Sequence, residues 1–311
     1  MWPFGLNAAS RDEWTSVVFA GQTVQVAGIR RRLDERPELT AWAIYPREGS
    51  DIEVVKRLRA GKRLGSGRCT LLLPHGHYQL LQVEAPAVAA EELQNAVRWK
   101  IKDMVDFPVE DAGIACLPPV AGGRAGQIYV AAASRGVLQS WVRVFQDANA
   151  PLHAIDVPEL AQRNVAALFE DKNRGLALLS FDDSGGRLTF TFQGELYFSR
   201  NIDVAPGEMA NLGDEAGPLA ERILVDVQRT LDNVDRSYSA IPISRVLVLP
   251  PPGAARFVEY LRENLYQPVE ALDFSRHIDL AGVRALANPS VQSQALSAIG
   301  AALREEGAVQ A

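Results

Sequence analysis

Cysteine is nearly absent: the 311 residues hold two, Cys69 and Cys116, far apart and in no CxxC pair. That excludes a disulfide framework and a cysteine zinc site, and a reduced, cytoplasmic compartment is the expectation. Long apolar runs are missing too. Nowhere do about 18 apolar residues follow one another without a charge, and the apolar start from Met1 to Leu6 is too short for a secretory core. The chain is expected neither to cross nor to insert in a membrane by itself, so work at a membrane would need a partner to hold it there. An excess of positive charge is also lacking, with 32 Lys and Arg against 38 Asp and Glu, a net charge of -6 and a sequence pI near 5.4. No general pull toward nucleic acid or anionic headgroups follows. The one basic run, Arg30, Arg31 and Arg32, is followed at once by Asp34 and Glu35 and reads as a solvated loop.

Histidine is scarce as well. His75 and His77 flank Gly76 with no third ligand nearby, while His153 and His277 stand alone, so no metal site is expected. Ser66, Ser134 and Ser180 lie in no G-x-S-x-G frame, which removes the serine-hydrolase reading. The glycine-rich stretch Gly122-Gly123-Arg124-Ala125-Gly126 joins two strand candidates instead of opening a helix, so it reads as a hairpin loop and not a phosphate cradle.

What is present is an ordinary globular composition, 47% hydrophobic and 23% charged, in a chain longer than one compact core needs. Its hydrophobic periodicity occurs twice. In the first copy, strands are predicted at 15–20, 23–29 and 39–45, the first two joined by a turn at Gly21 and Gln22. A helix from Asp51 and a buried strand at 69–73 follow. After an inserted block come a helix at 137–145 containing Trp141, a strand at 152–157, and a helix at 158–169 with Pro158 in its favoured first turn. The second copy begins after the charged linker 170–174. Strands are predicted at 176–181, 187–192 and 195–201, then a helix at 218–236, a strand at 244–249, a helix at 254–264, a strand at 268–272 and a last helix at 292–304. In the long helix, Ile223, Val227, Leu231 and Val234 form one apolar stripe, with Arg222, Asp226, Arg229, Asp232 and Arg236 turned outward.

Two such halves facing each other describe an α/β actin-like (ribonuclease H-like) architecture. The expected lobes are 1–169 and 170–311, each a mixed sheet with an antiparallel first hairpin and parallel helix-connected strands. The inserted block, about 77–134, reads as a small αβ subdomain: a strand at 77–83, a helix at 88–105 opened by Pro86, and strands at 113–117 and 127–133. Along its helix, Leu93, Val97, Ile101 and Met104 line one face and Trp99 falls well away from them. Exposed, Trp99 or Phe107 would anchor an apolar peptide; buried, both would pack inside the subdomain.

The inserted helix reads Glu91-Glu92-Leu93, Ala96-Val97-Arg98-Trp99 and Asp106-Phe107-Pro108-Val109-Glu110. Further along stand Asp156-Val157-Pro158-Glu159-Leu160-Ala161, Gln228-Arg229-Thr230-Leu231-Asp232, Pro268-Val269-Glu270-Ala271-Leu272-Asp273 and Ile299-Gly300-Ala301-Ala302-Leu303-Arg304. In order and spacing, over nearly the whole chain, these resemble the PilM family of type IV pilus assembly proteins. The likeness is nearer to its MSHA-pilus (MshI) branch, and the GspL cytoplasmic domain looks like a cousin. The resemblance implies an actin-like protein at the cytoplasmic face of the inner membrane. Such a protein caps the cytoplasmic tail of a PilN-like single-pass membrane protein and couples that platform to the pilus assembly ATPase.

The nucleotide cleft of such a fold needs a carboxylate and open backbone N–H groups at the first hairpin of each half, and a Gly-Gly loop in the second half. Phe19-Ala20-Gly21-Gln22 offers no carboxylate, and Pro250-Pro251-Pro252-Gly253 replaces the glycine loop with residues that lack an N–H donor. Asp182, Asp183, Ser184, Gly185 and Gly186 remain, either as a vestigial phosphate loop or as an Asx-type hairpin turn. Phosphoryl transfer requires all three devices together, so the expectation is a non-catalytic scaffold without a cofactor. The alternative is an actin-like ATP-binding protein or ATPase using Mg-ATP at those five residues.

Overall fold

A computed structural model describes residues 13–64, 67–120, 126–205, 208–212 and 217–305. The apolar start Met1 to Leu6, Ser66 and most of the glycine-rich stretch at 122–126 lie outside the described residues.

The first sheet joins β1 (Glu13–Ala20), β2 (Thr23–Arg30), β3 (Glu38–Pro46), β4 (Arg68–Leu72) and β8 (Ala154–Asp156) in the order β3-β2-β1-β4-β8. Its hairpin strands run antiparallel, and β1, β4 and β8 run parallel. The second sheet repeats the plan with β9 (Gly175–Asp182), β10 (Gly185–Phe192), β11 (Glu195–Ile202), β12 (Ile243–Leu249) and β13 (Val269–Ala271), in the order β11-β10-β9-β12-β13. Strand β9 is buried on both faces along nearly all its length, which is why its sequence is continuously apolar instead of alternating.

Outer helices close each sheet. In the first lobe, α1 (Asp51–Ala60) starts on a capping box made by Ser50 and Glu53, and α3 (Arg135–Asp147) buries Trp141 and Phe145. In the second, α5 (Pro218–Ser237) buries Ile223, Val227, Leu231 and Val234 as its periodicity predicts, together with Thr230, and packs with α6 (Ala255–Asn264). The inner helices exchange lobes. Helix α4 (Pro158–Ala167) belongs to the first half by sequence and packs on β9, β10 and β11; α7 (Pro289–Ala302) follows the second half and packs on β1, β2 and β4. They cross at Gly300, where an added Cβ would lie 2.6 Å from the carbonyl carbon and 3.0 Å from the Cα of Ala161. Only a residue without a side chain lets these backbones approach so closely. Ala161, Val165, Ala298, Ile299 and Ala302 thereby join residues of both sheets in one central core.

The inserted block is a three-stranded antiparallel sheet, order β5-β7-β6, from β5 (Gln79–Glu84), β6 (Ala112–Cys116) and β7 (Gln127–Ser134). Helix α2 (Ala90–Lys100) covers one face through Leu93, Val97 and Ile101. The other face packs on the second lobe, where Leu80, Leu117 and Tyr129 meet Leu196 and the Tyr129 hydroxyl accepts from the Ser199 amide at 2.9 Å.

Helix α2 is shorter than the periodicity predicts, starting at Ala90 and ending at Lys100. Pro108 disfavours helix at Phe107, and Asp103, Val105 and Asp106 are poor helix formers, so residues 101–107 turn instead. Met104 thereby leaves the predicted stripe and is exposed. Helix α7 begins earlier than predicted, on an Asn288 cap followed by Pro289.

Candidate functional site

A cleft of about 830 Å3 opens between the two lobes. Both first hairpins reach it, through Phe19 to Thr23 on one side and Phe181 to Ser184 on the other, and Pro251 and Pro252 close a third side. Val18, Ile44, Leu72, Leu73 and Met209 add apolar wall. Among the described residues that line it, Asp182 and Asp183 are the only Asp, Glu, Lys or Arg side chains. The Arg47 guanidinium lies over the Phe19 ring at 5.2 Å, but Asp51 holds it by two contacts at 2.7 and 2.9 Å. Among those lining groups no free cation stands beside the carboxylates, so a triphosphate there would have to be held through a metal ion placed between them.

The five candidate residues of the second hairpin do different things. Asp182 Oδ1 accepts from the Ser184 amide at 2.8 Å and from the Ser184 hydroxyl, forming an Asx turn, and Asp182 Oδ2 pairs with Arg187 at 3.1 Å. Both oxygens of Asp182 are engaged. Gly185 pairs with Asp182 in the ladder at a φ of +119°, and a Cβ there would lie 3.0 Å from the Ile202 carbonyl. Gly186 is buried between Phe181 and Ile202, so tight packing of the hairpin against the β11 exit accounts for both glycines. Asp183 is exposed, and its Oδ2 stands 3.5 Å from where a Gly21 side chain would begin, so the two hairpin turns face each other across the cleft mouth.

Behind Asp182 lies a buried polar chain that sequence reading missed. Arg187, 4% exposed, sits between Asp182 and Glu159, its Nε 4.0 Å from Glu159 Oε1 and without a hydrogen bond. Burial pulls the guanidinium down, but Asp182 and Glu159 outweigh it and hold Arg187 above its ordinary value. The Tyr78 hydroxyl donates to Glu159 Oε2 at 2.8 Å; burial, then the Glu159 charge, push that hydroxyl far up, so it stays a donor. One turn along α4, Gln162 donates to the Leu178 carbonyl at 2.7 Å and accepts from the Ser180 hydroxyl at 2.7 Å, which fixes the helix to β9. The available signal was a single arginine inside the otherwise uncharged strand β10 and a glutamate directly after Pro158.

The partner candidates separate. Trp99 is 64% exposed with Lys102 Nζ 5.9 Å from its ring, whereas Phe107 is half-buried against the subdomain core. The two edges of the subdomain sheet differ as well. On β6 the Ala112 and Ile114 carbonyls are occupied by Arg98 at 3.0 Å and Gln94 at 2.6 Å. On β5 no strand pairs with the outer side among the described residues, and Lys100, next to Trp99, reaches Glu84 at its end with 3.3 Å.

The other sequence candidates have structural roles. His77 Nδ1 accepts from Trp141 Nε1 at 3.0 Å, and Trp141 packs on Phe19 with ring centroids 4.8 Å apart. His153 Nδ1 accepts from the Cys69 amide at 3.1 Å. Arg30, Arg31 and Arg32 are all in ion pairs, with Glu13, Glu38, Glu305 and Glu35. Among the described residues no helix is long and apolar enough to cross a membrane.

Paired mixed sheets, exchanged inner helices and a cleft lined by both hairpins are the features of the actin-like ATPase fold, with a small antiparallel sheet added. Among solved structures, the chain is similar to one chain of the PilM-PilN type IV pilus biogenesis complex, with a TM-score of 0.70 and 17% identity over 95% of this chain and 99% of that one. It also aligns, at a TM-score of 0.49 and 13% identity over 91% and 94% of the two chains, with the cytoplasmic domain of EpsL, an inner-membrane component of the type II secretion system of Vibrio cholerae. No protein-family model matches the sequence, and no curated protein matches it.

Proposed function

We propose that this chain is a non-catalytic scaffold of a type IV pilus assembly platform, of the MSHA type, that takes up the cytoplasmic tail of a PilN-like single-pass inner-membrane protein. The observation that carries the reading is the likeness over nearly the full length of both chains to a component of the PilM-PilN complex. The outer edge of β5, unpaired among the described residues, supports it, because an extended tail can add there as a fourth strand. Exposed Trp99, beside the Lys100 that reaches Glu84 at the strand's end, offers an apolar anchor. In this reading the protein works at the cytoplasmic face of the inner membrane through that partner, and it links the partner to the assembly ATPase.

The cleft supports the absence of catalysis. The first hairpin brings no carboxylate, Asp182 of the second is committed to an Asx turn and to Arg187, and prolines stand where a nucleotide loop needs N–H donors. A second reading, a nucleotide-binding actin-like protein, draws on the cleft volume and on Asp183 facing Gly21 across it.

Two measurements separate the readings. Co-expression with candidate single-pass inner-membrane proteins, followed by co-purification from detergent, should recover a complex with the wild type and lose it with Trp99→Ala. Failure of every PilN-like candidate to co-purify would count against the scaffold reading. Calorimetric titration with Mg-ATP should show no binding tighter than about 10 µM, a free energy near -7 kcal/mol. Tighter binding would favour the second reading.

A further inference from the structure

The segment 73–78 leaves the cleft wall, where Leu73, Pro74 and His75 line the cavity, and leads through Tyr78 directly into edge strand β5. Tyr78 is also the far end of the buried polar chain. From the cleft inward the contacts run Asp182 to Arg187 at 3.1 Å, Arg187 to Glu159 at 4.0 Å, and Glu159 to Tyr78 at 2.8 Å. The chain thus spans the second-lobe hairpin, the crossing helix α4 and the root of the inserted subdomain.

Two features set it apart from a static tie. Burying charges in this way is costly, and an apolar set of the same volume is often at least as stable, so stability alone does not call for such a chain. Its middle link is also incomplete: Arg187 is almost wholly buried, yet Nε has no hydrogen-bond partner and Glu159 Oε1 stands just beyond reach. A shift of the guanidinium by about 1 Å toward Glu159 would complete that link while loosening the one to Asp182, so Arg187 has a second carboxylate within reach of a small movement. Asp182 is the member that the cleft reaches.

We propose that the buried chain Asp182–Arg187–Glu159–Tyr78 couples the inter-lobe cleft to edge strand β5, so that a change of charge at Asp182 alters how readily β5 opens. A cleft occupant that competes for Asp182 or Arg187 would then tune the strand edge, and an occupant of the edge would act back on the cleft, since such coupling is reciprocal. The consequence for partner uptake rests on the function proposed above; the coupling itself does not.

Hydrogen–deuterium exchange on the intact chain, with no partner present, tests it. Asp182→Asn should raise amide exchange in residues 79–84 by roughly tenfold or more, while α5 keeps its wild-type protection. Asp183→Asn, on the same hairpin but outside the chain, should leave 79–84 unchanged. Tyr78→Phe removes the last link while keeping the ring, so adding Asp182→Asn to it should produce no further change in 79–84. If Asp182→Asn does not fold, Glu159→Gln replaces it and should raise exchange at both 79–84 and 180–187. A response confined to 180–187, additive effects of the Asp182 and Tyr78 changes, or an equal effect of Asp183→Asn would overturn the coupling. None of these results depends on PilN-like binding, so failure here and failure of the scaffold reading are separate outcomes.

Discussion

Replacing Gly300 by alanine sets two known effects against each other at one atom. Gly300 lies inside α7, where alanine is intrinsically the better helix former by about 1 kcal/mol, so propensity alone predicts a more stable protein. The added methyl carbon, however, would fall on the backbone of α4, 2.6 Å from the Ala161 carbonyl carbon and 3.0 Å from its Cα. Carbon atoms rest about 3.5–4.0 Å apart, so the helices must separate by roughly 1 Å. The obstacle is main chain, which cannot rotate away as a side chain can. Separation also stretches the 2.9 Å hydrogen bond from Asn164 Nδ2 to the Gly300 carbonyl and loosens the central core shared by both sheets. Overpacking of this kind costs about 1–3 kcal/mol, and a lost hydrogen bond adds about 1 kcal/mol, which outweighs the propensity gain and leaves a net loss of about 1–3 kcal/mol. Thermal unfolding followed by circular dichroism should therefore show a midpoint several degrees lower. Gly136→Ala is the control: that glycine lies exposed in α3 with nothing within 4 Å of the added atom, so its midpoint should stay level or rise. A rise for Gly300→Ala comparable to the control would refute the close crossing of the two helices.

Three further outcomes follow from burial and charge. Trp99→Ala should change stability by no more than about 0.5 kcal/mol because the ring is exposed, whereas Trp141→Ala should cost about 3–5 kcal/mol, both read from denaturant titrations. Burial raises the Glu170 carboxyl above its ordinary 4.5, partly offset by a hydrogen bond from the Gly194 amide. A raised carboxyl contributes stability below its unfolded value and loses it as pH rises through the folded one, so Glu170→Gln should gain on the wild type between pH 4 and 7; a parallel pair of melting profiles would contradict this. Burial pushes the Cys69 thiol up to about 12 and also raises half-buried Cys116. Iodoacetamide at pH 8 should accordingly label Cys116 first, and equal labelling of Cys69, followed by peptide mass spectrometry, would mean that β4 opens readily.

The sequence by itself determined the elements and their duplication. Period-two and period-3.6 patterns mark strands and helices locally, and the same order of elements written twice marks two sheets. The α5 stripe and the hairpin turns at Gly21 and Gly194 follow from side-chain spacing and backbone freedom within a few residues. Two helix ends departed from the periodicity: α2 stops at Lys100, ahead of the weak helix formers Asp103, Val105 and Asp106 and of Pro108, and α7 starts early on its Asn288 cap.

Only the tertiary structure decided what long-range contacts control. Asp156-Val157-Pro158-Glu159 and Ile299-Gly300-Ala301 are stretches visible in the sequence, but nothing local shows that Gly300 meets Ala161 or that Asp156 takes Arg304 at 2.6 Å. Likewise Asp182 reads the same as a phosphate ligand or an Asx turn until Arg187 is seen behind it, and Trp99 reads the same as core or anchor until its exposure is known. A side chain's charge and shape are carried by its own residue; its partner, burial and direction are set by chain segments tens to hundreds of positions away, which periodicity does not encode.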